Sequence, residues 1–127
     1  MKHFIVLLLL ILNSAFGFAQ NAEFTFINSS THDWGEVNEG VQLQHYFIFK
    51  NTGDEPLIID EALVSCQCTK VSFPKKPVLP QEKDSVLVRF NTHQKYYKQD
   101  RVIRLKANTK RTERLRIKVY VIPEDDG

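Results

Sequence analysis

Residues 41–50 read Val-Gln-Leu-Gln-His-Tyr-Phe-Ile-Phe-Lys. Val41, Leu43, His45, Phe47 and Phe49 share one side of an extended chain. Gln42, Gln44, Tyr46, Ile48 and Lys50 share the other, because successive side chains of a strand point to opposite faces. This period of two recurs beyond the first twenty residues, where almost no helical spacing is found. A chain so patterned must pair its backbone with other strands and bury one face against a second layer. The first side of 41–50 is the expected core face, with His45 near its entrance. Further strands are expected at 23–27, 57–65, 86–90, 101–107 and 113–122, with a short edge segment at 32–37 broken at Gly35. Asn38-Glu39-Gly40 and the run from Asn51 to Pro56 supply turn chemistry, and residues 108–112 form a hairpin. Pro74, Pro77 and Pro80 make 73–83 a loop or a broken edge, since proline has no N–H to donate. About seven strands with turns every ten residues or so predict an immunoglobulin-like, two-sheet antiparallel β-sandwich, as one domain over residues 20–122.

The start of the chain belongs to a different pattern. Lys2 and His3 precede an unbroken apolar run from Phe4 to Leu12, and Gly17 and Ala19 are small residues two apart. That is the layout of a secretory signal peptide over 1–19, cleaved after Ala19. The run is shorter than the roughly 20 apolar residues a membrane span needs, and no later run is long enough. The expectation is an exported protein, periplasmic or secreted, without a transmembrane segment after cleavage. Residues 123–127 read as an acidic, disordered tail. Loss of Lys2 lowers the formal charge of +2 by one, which gives no bulk case for nucleic acid.

The only two cysteines, Cys66 and Cys68, stand in Ser65-Cys66-Gln67-Cys68-Thr69. The strand at 57–65 runs directly into them. Residues two apart in a strand point the same way, with Cα atoms about 6.6 Å apart. A disulfide tolerates that only near its upper limit of about 6.8 Å. Closing three residues restricts the unfolded chain by only about 1.6 kcal/mol, so a bridge here shapes the chain locally and does not staple the fold. The pair is also too close in sequence to join two sheets, and Trp34 precedes both, so the Cys-Trp-Cys order of antibody domains is missing. An inert bridge or two buried thiols is the structural reading. The chemical alternative is a Cu(I) or thiol-redox site, since two thiolates on one face suit a soft ion. His32, His45 or His93 would supply a third ligand, and Lys70, Lys75 and Lys76 would lower a thiol pKa.

A second candidate lies in residues 95–118, where ten lysines and arginines face only Asp100 and Glu113. In the alternation of 101–107 and 113–122, Arg104, Lys106, Arg114, Arg116, Lys118 and Tyr120 point away from the core. Paired as a hairpin, these strands expose five cations and a tyrosine on one face. Such a face attracts an anionic polysaccharide, a lipid surface or an acidic protein, or else is a solvated face that blunts an edge. Tyr96-Tyr97 lies in a polar loop and is expected to cap the core. His32-Asp33 is read as turn chemistry. No nucleophile elbow, zinc-protease helix or phosphate-binding glycine loop occurs, so neither an enzyme nor a cofactor is expected.

The segments "HDWGEVNEG", "FIFKNTGDEPLIID" and "VSCQCT", with Asn91-Thr92 after Phe90, occur in an order that resembles the bacterial family named domain of unknown function 1573. These are exported immunoglobulin-like domains, akin to the sandwich modules of ciliary and sperm-associated proteins. The resemblance covers about residues 32–121 and implies fold and address but no activity. Two positions depart from the family pattern: Gln67 stands where the family has glycine between the cysteines, and Gln81 stands in a Pro-Gly turn. The resulting expectation is a non-catalytic module that meets an envelope or extracellular protein or polysaccharide through its edges and loops.

Overall fold

The computed structural model describes residues 21–125. The signal peptide expected over 1–19 lies outside them, as do the last two residues of the acidic tail. The described chain holds eight strands: β1 (Phe24–Phe26), β2 (Thr31–Asn38), β3 (Gln42–Asn51), β4 (Ile59–Leu63), β5 (Thr69–Ser72), β6 (Lys83–Asn91), β7 (Tyr97–Ala107) and β8 (Glu113–Ile122). They form two four-stranded sheets, ordered β1-β3-β6-β5 and β2-β8-β7-β4. The sandwich expected from the alternation is therefore present.

Two details differ from expectation. The eighth strand is β5, which pairs with β6 from Thr69↔Phe90 to Ser72↔Leu87. Four residues with a single apolar side chain, Val71, carry too little alternation to announce it. The second difference is one parallel pair, β2 with β8. The chain enters in the first sheet as β1 and then crosses to the second. It thereby lays β2 beside the last strand in the same direction. Gly35, at φ 74°, sits where the β2 register shifts. Asp33 Oδ1 accepts the Gly35 N–H at 2.8 Å. The segment from His32 is thus a bulged edge strand, and the turn chemistry read at His32-Asp33 belongs to Asp33 alone.

The core lies between the sheets. Phe47, Phe49, Val86, Val88 and Phe90 come from the first, and Ile103, Leu105, Leu115, Ile117 and Val121 from the second, none more than 2% exposed. Full burial of each such side chain stabilises by about 1.5–3 kcal/mol.

Polar groups close one end of the sandwich. Asn51 is fully buried. Its Oδ1 accepts the N–H groups of Gly53 at 3.0 Å and Glu23 at 3.3 Å. Its Nδ2 donates to the carbonyls of Glu55 at 2.8 Å and Val78 at 2.9 Å. One amide thereby ties β3 to the entry of β1 and to the loop before β6. Gly53 is dictated by space: a Cβ there would overlap the Asn21 carbonyl oxygen and come within 2.8 Å of Ala22 Cα. Leu57 and Val78 exchange both backbone bonds, at 2.8 and 2.9 Å. Pro80 and Gln81 then make a type II turn, closed by the Glu82 N–H on the Leu79 carbonyl at 3.0 Å, with Gln81 at φ 71°.

Candidate functional site

The cysteines lie at the opposite end, where the Asn91 N–H bonds the Cys68 carbonyl at 2.9 Å. They do not extend a central strand. β4 is the edge of its sheet and stops at Leu63, while β5 is the edge of the other sheet and starts at Thr69. Ser65 to Cys68 is the turn by which the chain changes sheets. The Thr69 N–H bonds the Cys66 carbonyl at 3.1 Å, and the Cys68 N–H points at Cys66 Sγ, also at 3.1 Å. This folding brings the Cα atoms to 5.2 Å, and Cys66 and Cys68 form a disulfide. The separation expected from an extended strand is corrected accordingly: the turn brings the Cα atoms within the usual range for a disulfide. Gln67 is not among the residues with positive φ, so glycine is not needed between these cysteines.

The bridge gives the Cu(I) reading no support. A disulfide sulfur is not a thiolate and does not act as the soft ligand that reading requires. Among the described residues, no group of three or more His, Cys, Asp or Glu side chains is placed to hold a metal ion. His32 and His45 instead meet each other. Their rings stack at 3.6 Å and 9°, joining β2 of one sheet to β3 of the other. Trp34 packs edge-on against His32 at 5.1 Å, and Phe47 against His45 at 4.6 Å. Burial, and secondarily the neighbouring His32, hold the His45 pKa below its ordinary value. Alternation places His45 on the core face, but nothing local in the sequence places His32 across from it.

The outward side chains of β7 and β8 form the second candidate. Arg104 stands opposite Arg114, Val102 opposite Arg116, Asp100 opposite Lys118, and Lys98 opposite Tyr120. Arg104, Lys106, Arg114, Arg116 and Tyr120 are exposed and Lys118 is half-buried. All six share one outer sheet face. They are not equivalent. Arg116 Nε lies 3.0 Å from Asp100 Oδ1, a charge pair whose angle is too bent for a directed hydrogen bond. Lys118 has Asp100 on one side and Asp33 of β2 on the other in register. Towards the β7–β8 hairpin no acid intervenes between Arg104 and Arg114. There Arg104, Lys106, Arg111 and Arg114 line a shallow depression of about 690 Å³ with Leu63 and Thr112. Arg111 sits in the hairpin, outside the alternating strands, and so escapes a reading based on alternation. Glu113 pairs in register with inward-facing Leu105. Burial raises its carboxyl pKa, partly offset by the Arg114 backbone bond.

Tyr97 and Tyr120 stand near the far end of this face, their rings 6.1 Å apart at 62°. They are 57% and 44% exposed, and Tyr96 is 48% exposed. The Tyr96-Tyr97 pair therefore faces solvent and does not cap the core. Tyr97 at φ 64° and Gln94 at φ 58° bend the chain into β7, which starts four residues before the clean alternation at Arg101.

The fold defines an immunoglobulin-like β-sandwich. The chain belongs to the family described as "Protein of unknown function (DUF1573)", whose model matches residues 24–121. Among curated proteins no sequence relative is found. Solved structures with the same fold include a protein of unknown function from Porphyromonas gingivalis W83, with TM-score 0.70 and 14% identity over 84% of this chain and 50% of that one. The PapD-like domain 7 of human CEP192 matches with TM-score 0.59 and 9% identity, over 84% of this chain and 89% of that domain. The periplasmic chaperone SfaE matches with TM-score 0.54 and 11% identity, over 81% of this chain and 59% of the chaperone. The chain thus spans half the length of the Porphyromonas protein. Identities this low speak for shared fold and leave activity open.

Proposed function

We propose that this protein is an exported, non-catalytic immunoglobulin-like module that binds a partner at the cell envelope. The observation that carries this reading is the outer face of β7 and β8. A sandwich that needs only to fold has no use for Arg104 directly opposite Arg114, because facing like charges destabilise a sheet. Exposed like charge that opposes folding supports a binding role, since a one-signed surface attracts an oppositely charged partner. The leader-like start supports export. So do the disulfide, which belongs to oxidising compartments, and the likeness to a periplasmic chaperone.

The test is fractionation of cells making the full chain, followed by crosslinking and capture from envelope extracts. The expected result is a mature protein that starts at Gln20, recovered outside the cytoplasm with a reproducible partner. Charge reversal of Arg104, Arg114 and Arg116 together is expected to abolish capture. An uncleaved chain retained in the cytoplasm, or capture that survives the triple reversal, overturns the reading.

A further inference from the structure

The five cations expected on the β7–β8 face divide into two halves. In one half Arg116 is paired with Asp100, and Lys118 is flanked by Asp100 and Asp33. In the other half Arg104, Lys106, Arg111 and Arg114 surround one depression. None of these four forms an ion pair among the described residues. Glu61, in register with Lys106, is the acid beside them. Three of the four are arginines, whose planar forks grip carboxylates and sulfates in pairs. Four cations against one acid leave a local excess of positive charge around this shallow depression, which suits a ligand that presents anions there.

From Arg114 to Tyr120 the strand runs roughly 20 Å. The Tyr97 and Tyr120 rings stand exposed towards the far end of that run. Exposed tyrosines offer flat apolar faces with a polar edge, which suit the C–H faces of sugar rings. The intervening surface is polar, and Val102 is its one exposed apolar side chain between Arg104 and Tyr120. Arginine and tyrosine also serve protein interfaces, so an acidic protein is the alternative that a polyglutamate comparison separates. A lipid surface is the other alternative, and anionic vesicles separate it. A chain carrying acid groups at intervals along a polar, ring-built backbone meets both ends.

We propose that the outer face of the β2-β8-β7-β4 sheet is a docking surface for an extended acidic polysaccharide. Arg104, Lys106, Arg111 and Arg114 hold its acid groups, and Tyr97 and Tyr120 receive its sugar rings. This deepens the proposed envelope role by naming the class of its partner.

The experiment measures binding of purified mature protein to polygalacturonate. Neutral dextran, poly-L-glutamate and phosphatidylglycerol vesicles are the comparison probes. Polygalacturonate is expected to bind and the other three to bind at least about tenfold more weakly. The pair Arg104→Glu and Arg114→Glu should weaken polygalacturonate about tenfold or more, since each removes a charge-assisted contact. Each single reversal leaves an opposite-charge pair across the strands, so both singles are expected to stay folded and to weaken binding as well. Lys50→Glu with Lys83→Glu makes the same charge change on the other sheet and should leave binding unchanged. Tyr120→Ala should weaken binding about threefold or more without altering net charge. Equal binding of poly-L-glutamate or vesicles overturns the proposal in favour of generic charge or a lipid surface. So does equal loss in the Lys50 and Lys83 variant, or no loss in Tyr120→Ala. If envelope capture recovers a protein partner that is lost on reversal while polygalacturonate does not bind, the polysaccharide proposal falls and the envelope-module reading stands.

Discussion

The two ends of the sandwich are closed by different chemistry. At one end a single side-chain amide, Asn51, makes four hydrogen bonds to backbone groups. Two of these reach residues 28 and 27 positions away in sequence. At the other end a covalent bond joins Cys66 to Cys68, two positions apart. The covalent link is the stronger bond and the weaker constraint. A cross-link restricts the unfolded chain in proportion to the logarithm of the loop it closes, whereas a buried amide deprives its partners of water and must satisfy them all. The difference locates global stability at the Asn51 end. The disulfide is left to shape one turn.

The largest expected effect follows from that contrast. Asn51→Ala would strand the N–H groups of Glu23 and Gly53 and the Glu55 carbonyl, while the Val78 carbonyl keeps the Leu57 N–H. These three bonds are only partly buried, so each lost partner costs towards the lower end of about 1–3 kcal/mol, and a loss of roughly 2–3 kcal/mol is expected in urea denaturation. Gly53→Ala is expected to be comparably severe, because its methyl collides with the backbone at Asn21 and Ala22. A loss below about 1 kcal/mol in Asn51→Ala would break the comparison.

Cys66→Ser with Cys68→Ser is the matching test at the other end. Loop closure over three residues sets its effect at no more than about 1.6 kcal/mol. Reduction of the wild type should move the urea midpoint by the same small amount, with the slope unchanged. A loss equal to that of Asn51→Ala would reverse the assignment of roles.

How much of this was legible in sequence differs between the two ends for the same reason. The alternation of 41–50 and 113–122 reports burial directly, so the core, the sandwich and the outward cations could be read from it. Asn51 could be read as turn chemistry. That its amide reaches Val78 depends on how a distant loop returns, and loop return leaves no periodic trace. The cysteine turn reads as strand in sequence because Ile59 to Leu63 and Thr69 to Ser72 are each too short to reveal that they lie in different sheets. The His32–His45 stack was invisible because β2 and β3 pair with other strands and meet only across the sandwich. Arg111 was missed because hairpin residues have no inward or outward parity.

Between the two ends the histidine stack offers a pH probe. His45 has its pKa lowered, first by burial and then by His32. The unfolded chain therefore takes up a proton more readily than the folded one as pH falls below about 6.5. The stability this contributes is present above that pH. It is lost as pH falls through the lowered folded pKa, and it stays lost below. The other rings packed against the pair, Phe47 and Trp34, carry no titratable group. Melting temperature should fall between about pH 7 and pH 5, and His45→Phe should flatten that slope while keeping a ring in the stack. An unchanged slope in His45→Phe would remove the stack from the account. The change should be smaller than that of Asn51→Ala, since partial exposure lets solvent screen the pair.

The smallest effect compares two glutamines, one at each end, that stand where the family pattern has glycine. Gln81 adopts φ 71° in its type II turn, next to the Asn51 carbonyl that accepts its N–H at 2.7 Å. A left-handed backbone costs a residue with a Cβ about 1–2 kcal/mol. Glycine removes that strain but brings about 0.5–1 kcal/mol of extra unfolded-state entropy. Gln81→Gly should therefore stabilise by roughly 0.5 kcal/mol, close to the limit that replicate urea titrations resolve. Gln67, between the cysteines, takes no positive φ, so Gln67→Gly meets only the entropic term and should be neutral or slightly destabilising. The sign difference is the informative quantity, because both substitutions remove the same exposed side chain. If Gln67→Gly stabilised as much as Gln81→Gly, the cysteine turn would hold strain of the kind assigned here to the Asn51 end, and the two ends would no longer differ in how tightly the backbone is constrained.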